Sequence, residues 1–455
     1  MRKWLPWLIV PVILASLVVA FHSRHPSLLQ DTDTRVLLEA IRERQDPWSW
    51  FTGDWPLENH FYRPISTLVF EIDNSLYGDR AAGYGLTNAI LAAVCIIAVF
   101  WLGRELTDSA PLAGLGSTLF ALQHFKGPVL EWISSALWLL AGLVWLRLLF
   151  KGRQPARILL LSLLLAYCAW TIPGPINFDG RIVEWLPGRT ASTMTMFALV
   201  AMAAYARFER LTAAKGKDPI PTSTDLPATK GTAVAVAGKY SWVWVGIALM
   251  ATILALGSYE QAVMLPALIT GIAILYVSAG RKPNWWVVAS TWLVLVAYLV
   301  IRSNLVASEV SQYQSQQFRS GPGVMLSILE YVAPLYSWMQ TFVQSLSTGL
   351  LILLTGAVWA PLFLSAGNVA MYLVTWQSRK RWLALCLLSM AFLSYLPMAW
   401  LKFFGHYTYW PGALWSLFSV ALLFIVGEQF IRAISHPEIQ APSRPSPAPG
   451  SLPHR

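Results

Sequence analysis

Apolar stretches of roughly twenty residues, separated by short polar or Gly/Pro-bearing connections, recur from one end of the chain to the other. A helix of that length, rising about 1.5 Å per residue, crosses a hydrocarbon layer of about 30 Å. The pattern predicts about twelve such helices, near residues 4–21, 85–103, 110–123, 128–149, 158–172, 191–206, 241–257, 261–278, 284–301, 347–376, 382–400 and 410–427. The third is short and Gly-rich. The first follows Met1, Arg2 and Lys3, a basic start like that of a signal peptide. Because Val18-Val19-Ala20 matches a cleavage site only loosely and many spans follow, it is read as the first helix.

Composition agrees with the pattern. Hydrophobic residues make up 56% of the 455 positions and charged residues 12%, against about 25% charged in soluble proteins. The fold class expected is an all-α polytopic membrane protein. Its single membrane domain spans 1–430, with a first extracytoplasmic loop over 22–84, a flexible Pro/Thr/Gly/Ala-rich cytoplasmic loop over 207–240, and a disordered Pro/Ser-rich tail over 431–455. A further helix, 324–345, is expected to lie along the outer surface. Cys95, Cys168 and Cys386 all fall inside apolar spans and build no disulfide framework.

The net charge of +10 would suit nucleic acid in a soluble protein; here its placement matters more. "LRLLFKGRQPAR", "ARFERLTAAKGKD", "GRKPN" and "WQSRKRW" fall on alternate connections, on the side of Arg2 and Lys3. That side holds 21 Lys and Arg against 7 Asp and Glu, and the other side 12 against 16. By the positive-inside rule both termini are cytoplasmic. A bacterial inner membrane is the expected location, with the outer face extracytoplasmic.

Chemistry then gathers on the outer face. Asp31 and Asp33 open "DTDTRVLLEAIRERQ", an amphipathic run with Val36, Leu37, Ala40 and Ile41 on one face, as in a helix lying on a membrane surface. One aspartate suffices to cap that helix; the second is free to act as a general base for a lipid-linked substrate. "FTGDWPLENHFYRP" adds Asp54, His60, Tyr62 and Arg63. A planar guanidinium beside a proline suits a phosphate or carboxylate, whereas interfacial Trp and Tyr alone would be ordinary anchors. Glu184 and Arg189 precede the sixth helix, Glu260 sits at the seam of the seventh and eighth, and Lys402 and His406 precede the last. A carboxylate such as Glu260 at that depth is costly unless it is paired or functional. No zinc-spaced ligand set, Walker-type loop, G-x-S-x-G elbow or thiol motif is present, which leaves hydrolase and ATP-driven pump chemistry without support.

In order along residues 20–425, these blocks resemble the GT-C membrane glycosyltransferases, most closely the transmembrane O-mannosyltransferase-like group that usually carries tetratricopeptide repeats, which this chain lacks. The resemblance rests on the acidic pair Asp31/Asp33, Asp54-Trp55, Tyr62-Arg63-Pro64, "GYGLTN" from Gly83, "TLFALQHF", "EWLPGRTAS", "LALGSYEQAVMLP" and "GHYTYWPGALWS". Departures are Thr32 between the aspartates, Gly85 and Phe125 in place of the family's His and Pro, Tyr259 in place of Lys, and His406 in place of Arg. The resemblance implies transfer of a sugar, usually with inversion, from a polyprenyl-phosphate carrier to a protein, glycan or lipid acceptor outside. It makes Asp31 or Asp33 the base, sets Arg63 with Arg189 or Lys402 on the phosphate, and leaves Glu184 and Glu260 to orient the acceptor or balance charge. No cofactor is assigned, and a divalent metal ion stays open. Two rival readings are a transporter or lipid-carrier flippase, which should carry ionisable groups at its helix centres, and a degenerate GT-C fold acting as an assembly partner.

Overall fold

The computed structural model describes residues 4–22, 29–44, 46–125, 181–215, 241–307, 309–325 and 380–435. The helices expected over 128–149, 158–172 and 347–376, nearly all of the one over 324–345, and most of the 207–240 loop and the tail lie outside these residues. Among the described residues the secondary structure is helical, apart from one isolated bridge between Phe318 and Leu401.

In chain order the helices are α1 (Leu5–His22), α2 (Thr32–Arg44), α3 (Pro64–Tyr77), α4 (Ala81–Thr107), α5 (Ala110–Leu122), α6 (Arg181–Glu184), α7 (Arg189–Lys215), α8 (Ser241–Leu256), α9 (Leu265–Ser278), α10 (Trp285–Leu305), α11 (Gln312–Gln317), α12 (Arg381–Tyr395) and α13 (Tyr409–Ser435). The nine expected spans that fall on described residues are all helices there. Seven are long and apolar enough to cross a membrane, while α5 and α8 are apolar but shorter. Two helices outrun the pattern: α7 continues to Lys215 and α13 to Ser435, because amphipathic turns carry a helix past its apolar core.

α7 is the centre of the bundle. Its Ala-rich sequence buries Ala198, Ala201, Ala203, Ala204 and Ala206 and packs against α4, α8, α9 and α13; small side chains let backbones approach where no water drives helices together. The Gly-rich α5 uses the same device. A Cβ on Gly114 would stand 2.7 Å from the Trp7 carbonyl oxygen of α1, and one on Gly116 would stand 2.7 Å from Leu417 of α13. By contrast Ile9, Ile13 and Leu17 of α1 and Leu293, Val296 and Val300 of α10 are exposed, the surface expected to meet lipid tails.

The two ends of the bundle differ. At the basic end Arg210 reaches Glu105 at 3.2 Å and Asp108 at 2.6 Å, Asn284 N–H donates to Glu209 at 2.8 Å, and Lys380 pairs with Glu428. The first-loop elements cover the other end. There the reading of α2 needs correction. Its inward face is Thr34, Leu37, Leu38 and Ile41, packed with Trp50, Trp55, Phe70, Tyr84 and Leu186, while Val36 is exposed. The apolar stripe is satisfied by protein. α3 is built the other way: Ser66, Thr67, Phe70 and Asp73 face inward, and Ile72 and Leu76 face out.

Candidate functional site

The first-loop turn is organised from within. Asp54 Oδ1 accepts from the Trp55 and Phe61 N–H groups at 2.7 and 2.9 Å, and Oδ2 accepts from His60 N–H at 2.9 Å. Its carboxylate therefore folds the loop and has little left for a substrate, which corrects its expected binding role. Along the extended segment that follows, alternate side chains point to opposite sides. Tyr62 points into the core, donating to Phe51 O at 3.1 Å and packing on Tyr298 at 5.9 Å between ring centres. It too is an anchor and offers a ligand nothing.

Phe61 and Arg63 point the other way. The Arg63 guanidinium lies 4.1 Å from the Phe61 ring centre, 4.5 Å from Tyr259 and 5.3 Å from Trp55. Its Nε donates to both Glu260 oxygens at 3.1 and 2.9 Å, and Nη2 donates to Oε2 at 2.7 Å. The two chain segments are fastened beside this pair. Ile65 N–H donates to Gly257 O at 2.9 Å, Ser66 Oγ donates to Ser258 O at 2.9 Å, and a Cβ on Gly257 would come within 2.7 Å of Ile65. Among the described residues Nη1 carries no hydrogen bond, so one edge of a fixed, caged cation is left for an anion.

The acidic pair divides. Asp31 caps α2, accepting from Thr34 N–H at 3.3 Å, and its Oδ2 also receives the Trp185 indole N–H at 3.0 Å. Asp33, in the first turn, is exposed and has no hydrogen-bond partner among the described residues. Partial desolvation and then the Asp31 carboxylate hold it above the usual carboxylate range. Of the two aspartates, either of which could have capped the helix, the chain uses Asp31, because the helix begins at Thr32.

Trp185 connects this pair to the last-loop residues. It stacks on His406 at 5.3 Å, and His406 in turn contacts Tyr407 at 4.4 Å and Tyr259 at 6.3 Å. Glu184, half-buried, ends the turn just before Trp185. His406 is buried among rings, and Lys402 is exposed, its ammonium unpaired among the described residues. His60 serves elsewhere: its Nδ1 donates to Glu309 O at 2.7 Å, tying the first loop to the segment after α10. That segment carries Tyr313, whose ring meets Phe61 at 6.5 Å and whose hydroxyl lies in the fields of both Arg63 and Asp33.

Arg189 does not join this group. It is fully buried: Nη1 lies 2.6 Å from Asp73 Oδ2, Nε donates to Asn88 Oδ1 at 2.6 Å, and Nη2 donates to Tyr84 O at 3.0 Å. Thr87 completes the knot by donating to Asp73 at 2.8 Å. Its assignment to a substrate phosphate is corrected, since no face of the guanidinium reaches solvent. Asp73, Trp185 and Tyr313 are residues that sequence reasoning missed. Asp73 was legible as the polar stripe Ser66, Thr67, Asp73 on one face of α3, and Tyr313 lies within a Ser-x-x-Gln capping box formed by Ser311 and Gln314.

Among the described residues no three His, Cys, Asp or Glu side chains gather as a metal site. Comparison with protein-family models, curated proteins and solved structures finds no match to this chain.

Proposed function

We propose that the chain is a GT-C-like membrane glycosyltransferase that takes a sugar from a polyprenyl-phosphate carrier and passes it to an extracytoplasmic acceptor. The observation that carries this reading lies at the end of the bundle opposite the basic connections: a carboxylate at Asp33 with no partner among the described residues and a caged guanidinium edge at Arg63, both of which act electrostatically on Tyr313. The basic end is cytoplasmic and both termini lie there.

In this reading the Asp33 carboxylate takes the proton of an acceptor hydroxyl as its oxygen attacks the anomeric carbon. The bond from that carbon to the phosphate oxygen breaks, and the electron pair leaves with the lipid phosphate. The Nη1 edge of Arg63 meets the charge that develops, and its fixed orientation means little reorganisation at that moment. Asp31 keeps α2 capped and raises the basicity of its neighbour. The described span centres carry no charged side chain, which disfavours a transporter.

The test is transfer of radiolabel from polyprenyl-phosphate hexoses to a membrane lysate by the purified chain and by Asp33→Asn, Asp31→Asn and Arg63→Ala variants. Loss of transfer in Asp33→Asn with substantial transfer left in Asp31→Asn is expected. Label that stays on the lipid with every hexose tried would sink the transferase reading and favour an assembly partner.

A further inference from the structure

The segment after α10 has a construction that the proposed chemistry does not use. Residues 309–319 cross from the first loop to the last. At one side Ser311 Oγ donates to Asn59 O at 3.2 Å, Gln314 Nε2 and Arg302 Nη2 donate to His60 O, each at 3.3 Å, and His60 grips Glu309. At the other side Lys402 N–H donates to Gln317 O at 2.8 Å and Arg319 N–H donates to Trp400 O at 2.7 Å. A strap so fastened at both sides holds one conformation.

Between the fastenings lies α11, "QYQSQQ", which buries none of its residues. A helix this short and polar has no packing reason to exist. Ser311 and Gln314 form a complete capping box, which fixes the turn without help from a core. Tyr313, Gln316 and Gln317 stand at i, i+3 and i+4 and so share a face. Tyr313 contacts Phe61 and lies in the fields of Arg63, Asp33, Tyr259 and Tyr407, so this face turns toward the Arg63–Glu260 pair. The Tyr313 ring is nearly half exposed, and Gln317 Oε1 is buried without a hydrogen-bond partner among the described residues. An orphaned amide oxygen beside an open ring calls for a donor from outside.

We propose that Tyr313, Gln316 and Gln317, with Lys402 alongside, form a pyranoside-binding subsite. The ring offers a flat apolar surface to the C–H face of a sugar. The two amides, each carrying donors and an acceptor, match vicinal hydroxyls, and the Gln317 oxygen accepts a hydrogen bond from one of them. This deepens the transferase reading by naming the seat of a sugar ring, which belongs either to the donor or to a glycan acceptor.

The full chain is placed in nanodiscs, free of glycoside detergents, and methyl hexopyranosides are tested by saturation-transfer NMR. Transfer to ring protons is expected in wild type and in Tyr313→Phe, with roughly fivefold loss (about 1 kcal/mol, the scale of one aromatic contact) in Tyr313→Ala and a loss in Gln317→Ala. Trp48→Ala, an exposed aromatic away from the strap, serves as the unchanged control. Equal signals in wild type and Tyr313→Ala, or none with any hexoside, would overturn the subsite. In the transfer assay, a raised KM of Tyr313→Ala for the lipid-linked hexose assigns the ring to the donor, and a raised KM for the acceptor assigns it to the acceptor. Saccharide binding without any transfer would leave the subsite standing while the transferase reading fell; transfer unaffected by Tyr313→Ala would do the reverse.

Discussion

Two arginines in this chain each follow or precede a proline-bearing turn, and each ends on a carboxylate, yet they do different work. Arg189 and Asp73 are 0% and 3% exposed, locked in a knot that joins α3, α4 and α7. Arg63 and Glu260 are 11% and 20% exposed, with one guanidinium edge open. Electrostatics separates them further. Burial raises the Asp73 carboxyl against the pull of Arg189, so desolvation is the larger effect there. At Arg63 burial opposes the charge, but Glu260 together with the Tyr259 and Tyr407 hydroxyls more than offsets it and the guanidinium is held above its ordinary value. A buried pair that does not repay its desolvation fixes geometry; a partly open pair that does repay it keeps a cation ready for a ligand.

The contrast can be broken most forcefully at the knot. Arg189→Ala should strand a buried carboxylate and lower stability by about 3–5 kcal/mol, read as a large fall in unfolding temperature in detergent. The double change Arg189→Met with Asp73→Leu should regain most of it; no regain would mean that the charges themselves are needed. Arg63→Ala should do the opposite, leaving a folded protein whose sugar transfer falls by about 10²-fold; a stability loss as large as that of Arg189→Ala would make it a second structural arginine. Gly257→Ala puts a methyl 2.7 Å from Ile65 and should cost about 1–2 kcal/mol while moving Arg63 relative to Glu260. Transfer should drop while α3 packing, followed by hydrogen exchange, loosens only at its first turn.

The smallest effect is a pH shift. In the proposed transfer Asp33 would act as base only when ionised, so transfer should fall as pH drops through its pKa, which partial desolvation and then Asp31 keep raised. Removing the Asp31 charge in Asp31→Asn lowers the Asp33 pKa, and the acid limb of the rate profile should move to lower pH. An unmoved limb would show that another group titrates.

Much of the fold was legible because it depends on local physics. A run of twenty apolar residues has one good solution in a bilayer, a helix, since every backbone polar group must be satisfied internally. The nine described spans follow from this alone. The amphipathic stripe of α2 was legible too, but its partner was not: Leu37 and Ile41 would suit lipid or protein equally, and only the packing of Trp50, Trp55 and Phe70 beneath them decides. Asp54 and Tyr62 had the residue types of a binding loop and turned out to hold that loop together, because a turn's own N–H groups are nearer than any substrate.

The sequence by itself determined that this is a multi-span helical membrane protein and that most of its carboxylates lie on the side away from the basic connections. Hydropathy and charge act at short range along the chain, so they can be read in order. Which arginine is sealed and which keeps an open edge was decided by tertiary structure alone. Glu260 lies 197 residues from Arg63 and Trp185 lies 154 residues from Asp31, and Tyr313 reaches Phe61 on a strap anchored to both loops. Pairings across such distances depend on how helices pack, and no local pattern encodes them.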